Sequence, residues 1–345
     1  MILPRRLAMR ASLISTMVLS PLLATTSFAQ PDSPLRPITT YSIVARDSVT
    51  GQLGVAVQSH WFSVGPIVPW AEAGVGAVAT QSFAEPAYGP LGLELMRVGR
   101  SAPEALKALV STDADEAVRQ VAMVDTQGRV AAHTGGRCIQ AAGHHVGNHY
   151  SVQANLMESS TVWEAMAQAY ESAQGDLAER LLVALEAAEG EGGDLRGRQS
   201  AAILIVSGEN SGKPWVDRLF DLRVEDHPDP VAELRRLVQL QRAYIKLNEG
   251  DELWTKGNVE EAMEAYRQAT NIVPDQATNG EAPFWVGVTL AASGQVDEAI
   301  PYLARAYQQD TRWAELVTRL PNSGLLPKDQ KLIDDLVRRM KKGSE

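Results

Sequence analysis

The chain has 345 residues, 45% of them apolar and 21% charged, enough to bury full cores in two ordinary domains and too apolar for a disordered chain. Thirty-two Lys and Arg stand against 42 Asp and Glu, a net charge of −10 that excludes a basic nucleic-acid footprint. No apolar run reaches the ~18 residues that a membrane-spanning helix needs.

Residues 1–29 read as an export signal. Arg5, Arg6 and Arg10 form a positive start, Ala11 to Ala24 is apolar, and Ser27-Phe28-Ala29 supplies small residues for cleavage after Ala29. A buried N-terminal helix is the alternative. Losing the three arginines takes the net charge from −10 to −13, and the expected location is the periplasm. Cys138 is the only cysteine, so no internal disulfide forms; it reads as a small buried hydrophobe rather than a reactive nucleophile. Gln30 to Thr39 holds Pro31, Pro34 and Pro37 and reads as an extended linker or propeptide.

Structure is expected from Thr40. Tyr41 to Asp47 and Leu53 to His60 form a β-hairpin, and Gly74 to Phe83 is a further strand. Leu91 to Val110 reads as two helical pieces, the second capped by Ser101 and led by Pro103. Val118 to Val124 and Arg129 to His133 flank the turn Asp125-Thr126-Gln127-Gly128. Thr161 to Ala188 is helical, and Ala201 to Val206 and Val216 to Val224 return to strand character. Hairpins rather than strand–helix alternation predict an α+β layered domain, residues 40–226, with a largely antiparallel sheet.

Pro228 and Pro230 mark a boundary near His227, and residues 227–345 read as an all-α repeat domain. Gly250 matches Gly287 at a spacing of 37 residues, and Leu253, Gly257, Ala262 and Ala269 match Leu290, Gly294, Ala299 and Ala306. With Tyr266 and Pro274, this is the tetratricopeptide pattern. Two units need caps, expected from Pro230 to Ala243 and from Arg312 to Met340. Such repeats bind a protein partner, mediate self-association, or merely extend a catalytic domain.

Gly74-Val75-Gly76-Ala77-Val78-Ala79 fits a dinucleotide-binding string but is itself strand-like, so that reading is rejected. Neither a phosphate-binding loop nor a G-x-S-x-G elbow is present. His144, His145 and His149 raise a metal centre, and with it a His-based metal hydrolase, but Gly143, Gly147 and Asn148 break helices and favour a surface turn. Thr39-Thr40 heads the first strand. If Thr40 became the chain terminus, its α-amine would serve as the base for its own hydroxyl; otherwise it is an ordinary strand residue.

Thr40 to Asp47, Gly74 to Gln81, Tyr150 to Asn155, Arg196 to Ala202 and Asp226 to Pro230 together resemble the Ntn-hydrolase-superfamily proteins grouped as domain of unknown function 1028. The resemblance spans Thr40 to about Leu240. It implies an αββα Ntn-hydrolase-like sandwich, Thr40 as the N-terminal nucleophile, and hydrolysis of an amide or other C–N bond of a small substrate without a cofactor. Gln153 and Asn155 fall in the family's Gln-Gly-Asn block, here with Ala154 for the Gly, and either amide is a candidate oxyanion donor. Arg46, Asp47 and Gln81 are candidate substrate-binding residues, as are Arg198, Gln199 and Ser200 at the end of the loop Glu189 to Arg198, which reads either as a mobile lid or as a solvated connector. Ten residues separate the signal from Thr40, so catalysis requires a further cleavage at Thr39-Thr40. A Thr40 left sealed, with the chain running on upstream, favours a non-catalytic binding protein.

Overall fold

The computed structural model describes residues 37–343; the expected export signal, residues 1–29, and residues 30–36 of the proline-rich segment lie outside the described residues. The strands are β1 (Thr40–Arg46), β2 (Leu53–Ser59), β3 (Pro69–Glu72), β4 (Gly76–Ser82), β5 (Arg119–Asp125), β6 (Val130–Thr134), β7 (Gly143–Gly147), β8 (Tyr150–Ala154), β9 (Ser200–Val206) and β10 (Arg218–Val224). They make a six-stranded sheet, ordered β10-β9-β2-β1-β8-β7, and a four-stranded one, ordered β3-β4-β5-β6. Every pairing is antiparallel.

Side-chain alternation decides the layering. Tyr41, Ile43 and Ala45 of β1 face helices α3 (Val162–Ser172) and α4 (Leu177–Gly190), with which they share a core. Val44 of β1, Val55 and Val57 of β2, and Ala77, Ala79, Ala122 and Val124 of the other sheet form a second core between the sheets. Val78, Val121 and Met123 turn outward onto α1 (Tyr88–Arg97) and α2 (Ala102–Val110). The domain is thus mixed α+β, with the sheets face to face and helices outside each. Gly54 of β2 lets α4 approach, since a Cβ there would lie 2.9 Å from Leu181 Cδ1. Leu181 has no exposed surface. Leu181→Ala should therefore cost about 2–5 kcal/mol, the usual range for a buried leucine left as a cavity, read as a lower urea midpoint at constant slope.

Most expected elements form. Ser101 caps α2 through a reciprocal capping box with Glu104, and Pro103 sits in its first turn. Three differences have local causes. The Thr161 to Ala188 run is broken around Gly175 (φ +107), with Asp176 capping α4. The Gly143–Gly147 segment is a strand rather than a surface turn, because it finds β8 as a hairpin partner. Pro214–Asp217 forms one helical turn, α5, ahead of β10.

A helical region follows: α6 (Pro230–Thr255), α7 (Val259–Ile272), α8 (Glu281–Ala292), α9 (Val296–Gln309), α10 (Trp313–Ser323) and α11 (Gln330–Lys342). The 37-residue repeat has a direct packing reason. A Cβ on Gly250 would meet the Tyr266 ring at 2.4 Å, and one on Gly287 would meet Leu303 Cγ at 2.6 Å. Each glycine admits a large side chain sixteen residues later on the paired helix. Leu336 and Met340 of α11 close the far end of this core. Pro230 to Ala243 does not cap the array as expected: Val231, Leu234 and Val238 belong to the core under the six-stranded sheet. Arg235 and Arg242 pair with Glu179, tying that half of α6 to α4. No helix of the described residues is long and apolar enough to cross a membrane.

Candidate functional site

The layer between the sheets changes character along the strands. At the Arg46 end it is aliphatic; at the Thr40 end it holds Thr40, Ser42, Ser59, Gln81, Gln120, Gln153 and Asn155, all fully buried. Buried polar groups persist only when they are mutually satisfied, and these form one network. The Gln81 amide nitrogen donates to the Thr40 carbonyl at 3.1 Å and to Gln120 Oε1 at 2.7 Å, while Gln81 Oε1 accepts from the Ser42 hydroxyl at 2.6 Å. Asn155 adds its backbone N–H at 3.1 Å and its side-chain amide at 3.4 Å to the Thr40 carbonyl. Asn155 Oδ1 is buried without a hydrogen-bond partner.

The chain does not start at Thr40. Ile38 forms an antiparallel bridge to Ser82 at the end of β4, so residues 37–39 cross from one sheet to the other and seal this end of the sandwich. The Thr40 hydroxyl lies within reach of the Ile38 carbonyl, 2.9 Å, and of Ser59 Oγ, 3.2 Å. Ser59 in turn donates to the Thr39 carbonyl at 2.5 Å. A second donor, Arg196 Nη2, reaches the same carbonyl at 3.0 Å. Arg196 is oriented by Asp194, whose side chain has no exposed surface; the two share contacts of 2.8 and 3.1 Å. Asp194 also accepts from the backbone N–H of His60 and Arg196 and from the Thr39 hydroxyl. The carbonyl of the Thr39–Thr40 peptide bond therefore holds two donors, one cationic, beside the hydroxyl of Thr40. Two non-glycine residues with left-handed backbone flank the place, Ser82 (φ 71) and Leu156 (φ 56), the kind of strain that the surroundings must hold in place.

The model of the Family of unknown function (DUF1028) matches residues 40–234, so the matched region opens at Thr40 itself. The chain belongs to the DUF1028 family. A tetratricopeptide-repeat model matches residues 243–276. Among solved structures, the family-model DUF1028 protein SPO2555 from Silicibacter pomeroyi is 30% identical with a TM-score of 0.52, over 58% of this chain and 85% of that one. A comparison with curated proteins returns no match.

In this DUF1028 chain the expected site residues separate into two groups. Thr40, Gln81, Gln153 and Asn155 share the polar end. There, however, Gln153 donates to Ser42 at 2.6 Å and accepts from Ser151 at 3.0 Å, and Asn155 holds the carbonyl of Thr40 rather than that of Thr39. The donors on the carbonyl ahead of Thr40 are Arg196 and Ser59. Gln81 is enclosed within the network, with its amide nitrogen on the Thr40 carbonyl.

Arg46 and Asp47 lie at the other end of β1, roughly 20 Å away at the rise of a strand. Asp47 accepts from the Val49 and Thr50 backbone N–H groups and from the Thr50 hydroxyl. Burial alone would raise its carboxyl, but Thr50, Val49 and Arg180 hold it below the usual carboxylate range. It organises the hairpin turn and is not brought to Thr40. Ser200 stands in register with Ser59 and hence with Thr40, yet its hydroxyl donates to the Trp61 carbonyl and accepts from the Val64 N–H, fixing the 61–64 loop. Gln199 pairs with Asp226 at 3.2 Å near the surface. Arg198 pairs with Glu189, which also accepts from the Tyr41 hydroxyl; because Tyr41 and Thr40 alternate, this cluster lies on the opposite face of the sheet from the Thr40 hydroxyl. Burial, then Glu189, pushes the Tyr41 phenol well up.

The histidines do not converge. Along β7 His144 and His145 alternate, the first meeting Thr134 at 2.8 Å and the second Glu164 at 3.0 Å. Among the described residues no group of three or more His, Cys, Asp or Glu side chains could hold a metal ion. Cys138 is buried with its thiol against the Arg119 carbonyl, and burial raises its pKa, which suits the structural role expected for it.

Asp194, Arg196 and Ser59 were not singled out as site residues from sequence. Arg196 does open one of the blocks that carry the family resemblance, and Ser59 ends the strand that pairs with Thr40. Asp194 sits in a Gly-rich stretch that reads as a solvated loop and gave no such signal.

Proposed function

We propose that the chain is the precursor of an exported, periplasmic hydrolase with an Ntn-type αββα sandwich, cutting an amide or other C–N bond with Thr40 as its N-terminal nucleophile. The observation that carries this reading is the pair of donors, Arg196 and Ser59, on the Thr39 carbonyl beside the Thr40 hydroxyl. Donors placed on a carbonyl oxygen stabilise the oxyanion that forms when its carbon is attacked.

Maturation then proceeds within the chain. Thr40 Oγ bonds to the Thr39 carbonyl carbon, its proton passing toward Ser59, and the oxyanion is held by Arg196 and Ser59. The C–N bond breaks as that proton, relayed through Ser59, passes to the Thr40 nitrogen, leaving an ester and a free α-amine. One water hydrolyses the ester, restoring the hydroxyl and releasing residue 39 as a carboxylate. The freed amine is the base that Thr40 needs for later turnovers.

A second reading, a non-catalytic protein acting through its repeats, is favoured by the sealed Thr40 and by the tetratricopeptide match. Intact-mass measurement on the protein recovered after export separates the two. A chain beginning at Thr40 is the expected result, and one stably beginning at Gln30 would sink the hydrolase.

A further inference from the structure

The residues ahead of Thr40 occupy a built cleft, and its chemistry describes the acyl half of a substrate. The Ile38 N–H donates to the Ser82 carbonyl at 2.6 Å, and the Ile38 carbonyl accepts from the Ser82 N–H at 2.9 Å. Such a reciprocal pair is how an extended peptide is held on a strand. Ile38 is 7% exposed and joins the apolar cluster that contains Val57, Val64 and Val68. The Thr39 side chain is fully buried, its hydroxyl directed to Asp194. Its carbonyl carries the Arg196 and Ser59 donors.

Backbone, both side chains and the carbonyl are thus each recognised separately. A bare small amide would use only the last of these features.

Building on the proposed maturation at Thr39–Thr40, we infer that the vacated cleft binds an extended peptidyl acyl group. It takes an apolar β-branched residue where Ile38 lay and a small hydroxyl-bearing residue where Thr39 lay. The substrate is a peptide or peptidyl amide cut after that second residue, and the segment released in maturation is its first product. In turnover Thr40 Oγ bonds to the acyl carbon and gives its proton to the Thr40 amine. The C–N bond breaks as that proton passes to the departing amine, and water then splits the ester into the peptidyl carboxylate and free Thr40. Ser82, in its left-handed conformation, offers the backbone groups that read the substrate strand.

The test uses the chain beginning at Thr40, which keeps every named strand and helix, with circular dichroism to establish that it is folded. Titration calorimetry with acetyl-Pro-Ile-Thr acid should give saturable binding. The same peptide methylated on the isoleucine nitrogen should bind at least about tenfold more weakly, having lost the bond to Ser82. Failure of the folded chain to bind the tripeptide, or equal binding of the methylated form, overturns the inference. Since binding needs no turnover, the two readings fail separately. A chain beginning at Thr40 that binds the peptide as expected yet hydrolyses no amide, made from a precursor that does not cut itself, refutes the hydrolase and leaves the cleft; one that hydrolyses amides but ignores the tripeptide refutes the cleft alone.

Discussion

Thr40→Ala should leave the exported chain at its precursor mass, with the residues ahead of position 40 still attached, while Thr40→Ser is still cut. The alanine removes the only atom of residue 40 able to attack the Thr39 carbonyl; serine keeps that atom and loses a methyl group. Loss of a nucleophile lowers a rate by a factor on the order of 10³ or more, because what remains is the effect of the donors and of binding alone. The fold should survive. Removing the hydroxyl ends its contacts with the Ile38 carbonyl and with Ser59 Oγ, a net loss of about 1–2 kcal/mol, small against the stability of a domain. Mass spectrometry and a thermal melt on the same preparations separate the two effects. Cleavage of Thr40→Ala at the rate of the parent chain would show that another protease makes the cut or that Thr40 is only a strand residue.

How far such a site can be read from sequence depends on which forces place each residue. The hairpins, the capped α2 and the 37-residue repeat were legible because local chemistry specifies them: alternation, a capping box, and glycines that face bulky partners. The segment β7, with two histidines between glycines, carries no strand signal of its own; its pairing with β8 supplies one. The four-residue β3 is likewise made by its neighbour β4.

The same division runs through the site. Thr40 and Gln81 could be picked out at the ends of apolar strands and Asn155 through the family resemblance of its block; register sets Asn155 beside Thr40, and the face-to-face packing of the two sheets brings Gln81 to both. Asp194 and Arg196 come from a stretch that reads as a solvated lid. What it does instead is run back under the head of β1, with Asp194 bridged to Met157 and buried. The hydrogen bond from the Thr39 hydroxyl to Asp194 spans 155 residues, and no local pattern announces it. Arg46 and Asp47 lie apart from Thr40 for the opposite reason: proximity in sequence along a strand is distance in space.

Arg196 is where structural and chemical roles can be pulled apart. Arg196→Met keeps a long apolar stem but leaves the Asp194 carboxylate, with no exposed surface, lacking its cation. Removing one partner of a buried pair costs about 3–5 kcal/mol. The low end is expected here, because Arg196 is 29% exposed and Asp194 keeps its donors from the His60 and Arg196 backbones and from Thr39. Adding Asp194→Asn to Arg196→Met removes the stranded charge, so the double variant should regain part of the lost stability in urea unfolding; it does not regain all of it, because the Asn amide nitrogen cannot accept the backbone bonds that both carboxylate oxygens take. Self-cleavage should not return with it. The Thr39 carbonyl still lacks its cationic donor, and loss of one oxyanion donor slows a reaction by about 10²–10³-fold. A double variant that is both stable and cut at the parent rate would reduce Arg196 to a counter-ion for Asp194, and the oxyanion would then rest on Ser59 alone.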